Sequence, residues 1–414
     1  MTFTFLHAAD IHLDSPLRGL DRYEGAPIDE IRSASRRALE NLVEYAIRER
    51  VDFVVLAGDL YDGDWKDFDT GLFFVRQMSR LREAEIPVYG VQGNHDAASK
   101  ITRSLRLPSN VHIFSASDPG TQRIEKLNVA IHGQSFASQC TTADLARNYP
   151  AAVPGWFNIG VLHTSMSGHD GHGSYAPCSE ACLRESGYDY WALGHVHQRE
   201  VLPGRPTIAF PGNIQGRHIR EDGAKGCLRV IVNDENEATP EFVPLDVLRW
   251  ATATVSLDGI EEKNAAFERL DDALRRVVQD SENRLTATRL VLTGTTPLAA
   301  DIAANPKQWS ADIRATAIDV DAEKLWVEKV IYQLSAPRQT AAVEDDDTPL
   351  AEVASIVAQL AASEDTAGAL GIDFADLERK LPPEIREAIT TADPQWWRKI
   401  LADAEAKLFA ELRG

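Results

Sequence analysis

No run of about 18 apolar residues, the length that crosses a bilayer, occurs in this 414-residue chain, so no transmembrane helix is expected. The opening MTFTFLHAAD has no basic segment leading into an apolar one, and reads as a strand entering a functional loop rather than as a secretory leader. Cysteine is scarce. Cys140, Cys178, Cys182 and Cys227 are too few and too scattered to frame a disulfide scaffold. Reduced thiols and a cytoplasmic location are the expectation. There is no GxxxxGK[ST] loop, so any nucleotide hydrolysis has to come from elsewhere, and there is no internal repeat.

Positive charge is also short, with 43 Lys and Arg against 63 Asp and Glu and a formal net charge of -20. That balance works against casual binding to nucleic acid, whose phosphates call for a basic surface. The deficit is uneven: residues 246–414 carry 31 acids and 19 Lys or Arg, and residues 1–245 carry 32 and 24. Bound divalent cations or a partner's basic surface would reverse the local field.

What is present is an ordinary globular composition, 44% hydrophobic and 26% charged, in a chain long enough for two or three domains. Residues 1–245 alternate apolar β-branched runs with amphipathic stretches. FTFLHAAD is followed by a helical segment from Asp29 to Arg50, then DFVVLAGD, a helix around Asp67 to Arg82, and IPVYGVQGNHD. VHIFSA, NVAIHG, FNIGVLHT and YDYWALGHVH follow as strands with few helices between them, which predicts a layered α/β domain. Residues 246–334 read as a small α+β domain, in which WATATVSL and RLVLTGT flank a helical segment from Gly259 to Val278 and LWVEKVIYQL adds a strand. Residues 335–349, with their EDDD run, read as an acidic linker, and residues 350–414 as a helical region. Its stripe of Trp396, Trp397, Ile400, Leu401, Leu408 and Leu412 suits packing on its own domain and docking to a partner equally.

The chemistry sits where the strands end. Asp10 and His12 follow the first strand, Asp59 the second, Asn94, His95 and Asp96 the third, His163 a later one, and His195 and His197 another. Sites in open α/β sheets form at the carboxyl ends of strands, so these segments are expected to converge. In extended backbone, residues i and i+2 face one side, which lets Asp10 with His12, and His195 with His197, serve one cleft. Glycines before Asp59, Asn94 and His195 permit close backbone approach. Singly, each motif is an ordinary turn, but five in succession, each after an apolar run, point to a metal site. Carboxylate, imidazole and amide oxygen together suit Mn, Fe or Zn. Two ions would share a carboxylate, and Asp59 is the candidate.

DIHLD, GDLYDGD, GNHD, GVLHTS and GHVH resemble, in order, the motif series of the calcineurin-like metallophosphoesterases. More narrowly, AADIHLDSPL, AGDLYDGDWKDFDTGLFF, YAPCS, YDYWALGHVHQ and FPGNIQGRHIRE look like the SbcD/YhaO-type DNA repair exonuclease branch. The resemblance covers residues 1 to about 245 strongly and the rest weakly. It implies a four-layer αββα sandwich, with Asp10, His12 and His197 on one ion, Asn94, His163 and His195 on the second, and Asp59 bridging. His95 would serve the scissile phosphate without binding metal, and Asp96 would either orient it or be a plain surface aspartate. It further implies two divalent cations, Mn2+ foremost with Fe2+ or Zn2+ as alternatives, and a DNA exonuclease or endonuclease working in repair with an SbcC/YhaN-like coiled-coil ATPase. That partner would dock on the helical C-terminal region, and residues 246–334 would form a capping domain. Archaeal and eukaryotic relatives in the nuclease branch usually carry a histidine three residues after the bridging aspartate. This chain has Asp62, which would orient His95 or cap the next turn and bears on exonuclease activity more than on phosphoester hydrolysis.

Weaker signals are Arg217, His218 and Arg220, read either as phosphate contacts or as a solvated loop, and the series His169, His172, Cys178 and Cys182. That series has atypical spacing for zinc, and a substrate-facing loop is the better reading. Two other functions stand beside the nuclease. One is a small-substrate phosphodiesterase or phosphatase, which the acidic surface favours. The other is a regulatory scaffold with an idle site, which intact donors at every motif position argue against. The sequence leaves homodimerisation open.

Overall fold

The structure is a computed structural model that describes residues 2–15, 25–62, 68–98, 106–166, 176–337, 349–363, 370, 397, 398, 400, 401 and 404. The first half runs β1 (Phe3–Ala8), α1 (Ile28–Glu49), β2 (Phe53–Ala57), α2 (Asp69–Glu83), β3 (Val88–Val91), α3 (Asn94–Ala98), β4 (Val111–Ile113), β5 (Gly120–Ile124), β6 (Val129–Gly133) and β7 (Phe157–His163). It continues with α4 (Glu180–Glu185), β8 (Tyr190–Gly194), β9 (Glu200–Leu202), β10 (Thr207–Phe210), β11 (Gly226–Val232) and β12 (Ala238–Pro244). Then come β13 (Leu248–Ser256), α5 (Lys263–Asp280), β14 (Leu285–Thr295), α6 (Leu298–Ala304), α7 (Pro306–Asp321), β15 (Leu325–Ser335) and α8 (Pro349–Ala362).

Two six-stranded sheets, ordered β12-β11-β1-β2-β3-β4 and β5-β6-β7-β8-β10-β9, make the body of the first domain. β1 to β4 are mutually parallel, as are β6, β7, β8 and β10, so each sheet collects several carboxyl ends on one edge. Successive side chains of a strand point to opposite faces, and here both faces are buried. Phe5, Phe53 and Val55 point inward to meet Ile159, Phe157 and Tyr190 of the second sheet, with Phe5 stacked on Phe53 at 4.9 Å and edge-on to Tyr190 at 5.4 Å. Leu6, Val54 and Leu56 point outward against Leu39, Leu42 and Val43 of α1 and Phe74 and Met78 of α2. On the far side, Leu162, Trp191 and Leu193 pack against Leu183 of α4. The result is a helix, sheet, sheet, helix sandwich. His7 pins its middle, with Nε2 donating to the Leu193 carbonyl at 3.1 Å and Nδ1 3.0 Å from the Tyr190 hydroxyl, and burial pushes its pKa down to about 3.

α1 is helical because Ile31, Ala34, Ser35, Ala38, Leu39, Leu42, Val43 and Ala46 recur at three- and four-residue spacing and are all buried, with Asp29 and Glu30 in its first turn. It ends at Arg50, whose left-handed backbone, φ 53°, reverses the chain into β2.

The chain divides into two compact units: residues 1–252 with 277–288 and 323–328, and residues 253–276, 289–322 and 329–414. Both six-stranded sheets lie in the first. In the second, Phe267 of α5 stacks on Trp309 of α7 at 5.3 Å, and Lys263 caps both rings. α6 and α7 correct the sequence reading, which placed no helix between RLVLTGT and LWVEKVIYQL. Asn305 and Pro306 are a start signal, and Trp309, Ile313 and Ala317 form the buried stripe. The EDDD run, Trp396, Leu408 and Leu412 lie outside the described residues. Trp397 and Leu401 are buried, whereas Ile400 is 37% exposed. Among the described residues no helix is long and apolar enough to cross a membrane.

Phe53→Ala removes a ring that is fully buried between the sheets. It should cost about 3–5 kcal/mol, read as a lower midpoint for the first transition in urea unfolding.

Candidate metal centre

The carboxyl ends of both sheets deliver polar side chains to one place. The loops after β1 and β2 are zipped together: Asp10 N–H donates to Gly58 O, His12 N–H to Asp59 O and Leu13 N–H to Leu60 O, at 3.0, 3.0 and 3.1 Å. Asp10, His12, Asp59 and His195 take left-handed backbone, with φ of 51°, 43°, 49° and 98°. Such conformations cost non-glycine residues about 1–3 kcal/mol each and persist where the surroundings over-determine them. Gly58 and Gly93 are required by crowding. A Cβ at Gly58 would sit 2.5 Å from His163 Nδ1, and one at Gly93 would run into the Asp59 carboxylate.

Two groups of donors meet here. In the first, His12 Nε2 lies 3.1 Å from His197 Nε2, and His197 Nε2 lies 3.8 Å from Asp10 Oδ1. In the second, His163 Nε2 lies 3.0 Å from Asn94 Oδ1 and 3.4 Å from Asp59 Oδ2, with the His195 ring 5.1 Å from that of His163. Asp59 faces both groups, because the same Oδ2 is 3.8 Å from His12 Nε2. Six of the seven are buried, and the His197 side chain is 21% exposed.

His163, His197, Asp10 and Asp59 are held from behind. His163 Nδ1 donates to the Ala57 carbonyl at 2.9 Å, which turns Nε2 toward Asp59 and Asn94. His197 Nδ1 is 2.7 Å from Glu221 Oε1, which turns its Nε2 toward His12. His195 N–H donates to both Asp10 oxygens, and His95 N–H to Asp59 Oδ1 at 3.0 Å. Metal-binding histidines are fixed in this way, by an acceptor on the far nitrogen. Two imidazole Nε2 atoms 3.1 Å apart beside two carboxylates can share one proton, and a divalent cation can take that proton's place. The donor set therefore fits divalent cations, and oxygen with nitrogen ligands suits Mn, Fe or Zn.

The titration behaviour agrees. Burial, with Arg217 nearby, pushes the His12 imidazole well below its ordinary value, so it is a neutral donor. Burial pushes the Asp10 carboxyl up against the pull of His197 and His163. Burial also opposes ionisation of Asp59 and His163, but each charge favours the other, which holds Asp59 below the usual carboxylate range and His163 at about 9.

His95 stands at the open side, 36% exposed, with Nδ1 2.7 Å from Asp62 Oδ1 and Nε2 4.0 Å from Asp59 Oδ2. The bond to Asp62 raises its pKa. The expectation that Asp96 orients His95 is corrected. Asp96 is 1% exposed, and its carboxylate accepts from the backbone N–H of Leu60, Tyr61 and Gly93 at 3.1, 3.0 and 2.9 Å, so it braces the Asp59 loop. Burial and the Asp59 charge push its carboxyl up to about 7. The residue that holds His95 is Asp62, which also accepts from Ser15 and Arg217.

Arg217 reaches the site with its guanidinium between Asp62 and Glu221. His218 is 55% exposed and 3.7 Å from Glu221. Sequence reasoning missed Glu221 and Asn213. Glu221 is 5% exposed and accepts from His197, Asn213, Arg217 N–H and the Arg217 side chain. The only signal for it was general: a metal-binding histidine calls for a carboxylate behind it, and GRHIRE offers one. Of the weaker zinc series, His169 and His172 lie outside the described residues. Cys178 is buried against Thr164 Oγ1 at 3.4 Å, and burial pushes its thiol up to about 11.

Two outcomes follow. Glu221→Gln should weaken Mn2+ binding about 10- to 100-fold in calorimetry, because His197 loses its fixed orientation. As a metal ligand His163 would have to give up its proton, so the affinity of wild type should fall as pH drops below about 9, with proton release visible in buffers of different ionisation enthalpy. A flat profile would contradict this.

Comparison with known proteins agrees with this geometry. The family model for calcineurin-like phosphoesterases matches residues 3–199, and that for the middle domain of metallophosphoesterase YhaO matches residues 250–335. The chain is 36% identical over 298 residues to the uncharacterized metallophosphoesterase YhaO of Bacillus subtilis (strain 168), covering 71% of this chain and 72% of that one. It is 22% identical over 310 residues to the DNA double-strand break repair protein Mre11 of Sulfolobus acidocaldarius, covering 72% and 76%. Among solved structures, a dimetal phosphatase from Danio rerio aligns at 14% identity with a TM-score of 0.37, over 57% of this chain and 98% of that one. With paired donor groups at the carboxyl ends of a two-sheet sandwich and a YhaO homologue at 36% identity, the chain belongs to the calcineurin-like metallophosphoesterases, hydrolases of phosphoester bonds that use divalent metals.

Proposed function

We propose that this chain is a phosphodiester hydrolase that processes DNA ends in repair, using two cations of which Mn2+ is the first choice. The observation that carries the reading is Asp59, a buried carboxylate whose Oδ2 faces His12 at 3.8 Å and His163 at 3.4 Å. Asp10, His12 and His197 would hold one cation, Asn94, His163 and His195 the other, and Asp59 both. When bound, such cations supply charge neutralisation at phosphoryl oxygens and acidify water.

The chain's own groups do the rest. His95, with Nδ1 tied to Asp62, presents Nε2 on the open side of the site, where it would give a proton to the leaving oxygen. Asp62 fixes which ring nitrogen faces the substrate. Asp96 keeps Asp59 in place through three backbone N–H groups.

Similarity to a DNA double-strand break repair protein supports DNA as the substrate. An SbcC/YhaN-like coiled-coil ATPase docked on residues 350–414 would supply the nucleotide chemistry that this sequence lacks, and residues 246–334 would cap the cleft. The acidic balance, net -20, favours the second reading, a phosphodiesterase or phosphatase for small substrates.

Purified protein with Mn2+ should degrade end-labelled DNA as well as bis(p-nitrophenyl) phosphate. His95→Ala should lower turnover on DNA by about 10²–10⁴-fold with metal content intact, and Asp59→Asn should lose metal and activity together. Hydrolysis of small esters with none of DNA would replace the first reading by the second, and loss of metal in His95→Ala would remove His95 from its role.

A further inference from the structure

One side chain touches both halves of the site. Arg217 Nη1 donates to Asp62 Oδ2 at 3.3 Å, Nη2 donates to Glu221 Oε1 at 2.8 Å, and Nε lies 3.3 Å from both Glu221 oxygens. Asp62 is the carboxylate behind His95, and Glu221 is the carboxylate behind His197. The three side chains are 17%, 15% and 5% exposed, so water screens these ion pairs little. Asp62 and Glu221 share their surroundings with Asp10 and Asp59, and a cation between them offsets the repulsion. A planar guanidinium can serve two carboxylates in two directions, which a lysine ammonium on a flexible stem cannot do in fixed geometry.

We propose that Arg217 is a positioning residue that locks the orientation of His95 to that of His197. The group facing the leaving oxygen and one of the groups facing the cations are thereby set by a single guanidinium. The inference rests on the roles given above to His95 and His197, and deepens them by naming what couples the two. It also reassigns Arg217, whose Nε, Nη1 and Nη2 all meet carboxylates before any phosphate arrives.

The test uses the full chain, Mn2+ as the metal, and two readouts. The first is Mn2+ affinity by calorimetry, without substrate, for wild type, Arg217→Met, Asp62→Asn and the double variant. Asp62→Asn is expected to weaken binding in wild type, Arg217→Met to weaken it by about 10-fold, and the double variant to lose no more than Arg217→Met alone. Independent, additive losses would overturn the coupling, whatever His95 does. The second readout is the dependence of kcat on leaving-group acidity across methyl aryl phosphodiesters. Arg217→Met should steepen it toward the slope of His95→Ala, because a proton donor matters most for poor leaving groups. An unchanged slope with raised KM would make Arg217 a phosphate contact and overturn the proposal. A normal slope in His95→Ala would instead overturn the role of His95, leaving the binding cycle to decide on Arg217. Arg217→Lys is the second variant in case Arg217→Met fails to fold. It keeps the charge and loses the fork, so a full return to wild-type affinity and slope in Arg217→Lys would also refute the proposal.

Discussion

Donors that converge on one point repel each other or share protons unless something holds each of them from the far side, and that demand shapes the whole site. The Ala57 carbonyl holds His163, Glu221 holds His197, the His195 amide holds Asp10, and the His95 amide holds Asp59. With their rear atoms fixed, the front atoms have one direction left, toward a shared space. The left-handed backbone at Asp10, His12, Asp59 and His195 is part of the same arrangement, and it replaces the extended backbone expected from the sequence for Asp10 with His12 and for His195 with His197.

The sandwich supplies the platform on which that demand can be met. Parallel order within each sheet puts many carboxyl ends on one edge, and the aromatic layer between the sheets brings the two edges together. Asp10, Asp59 and Asn94 come from the first sheet, and His163, His195 and His197 from the second. Neither sheet alone carries a complete donor group. The packing of Phe3, Phe5 and Phe53 against Phe157 and Tyr190 thus sets the distance across the site as well as the stability of the domain.

Much of this was legible in the sequence because an apolar run followed at once by a ligand-type residue is a local pattern. The convergence of the seven side chains was readable for that reason, as were α1 and α2, whose buried positions recur every three or four residues. What could not be read depends on turns that spacing does not encode. Glu221 arrives behind His197 through the turn in which its N–H donates to His218 O, far along the chain from its partner. The role given to Asp96 came from the family resemblance, whereas its carboxylate accepts from the backbone N–H of Leu60, Tyr61 and Gly93. On the short helix α3, neighbouring residues point about 100° apart, so one faces the open side and the other faces inward. The partner of His95 came instead from the loop after β2, where Asp62 had been recognised as a departure without a settled role.

The pairing of β1 with β11 has a consequence for how the protein is made. β1 lies between β2 and β11, and its partner strand begins only at Gly226, after every strand of the second sheet has been synthesised. The second sheet, with His163, His195 and His197 at its strand ends, is thus complete in sequence before the strand that flanks β1 in the first sheet. The first domain closes through a pairing of residues more than 200 positions apart, Phe3 with Val232 and His7 with Leu228, and contacts of such separation are the slow ones to form in folding.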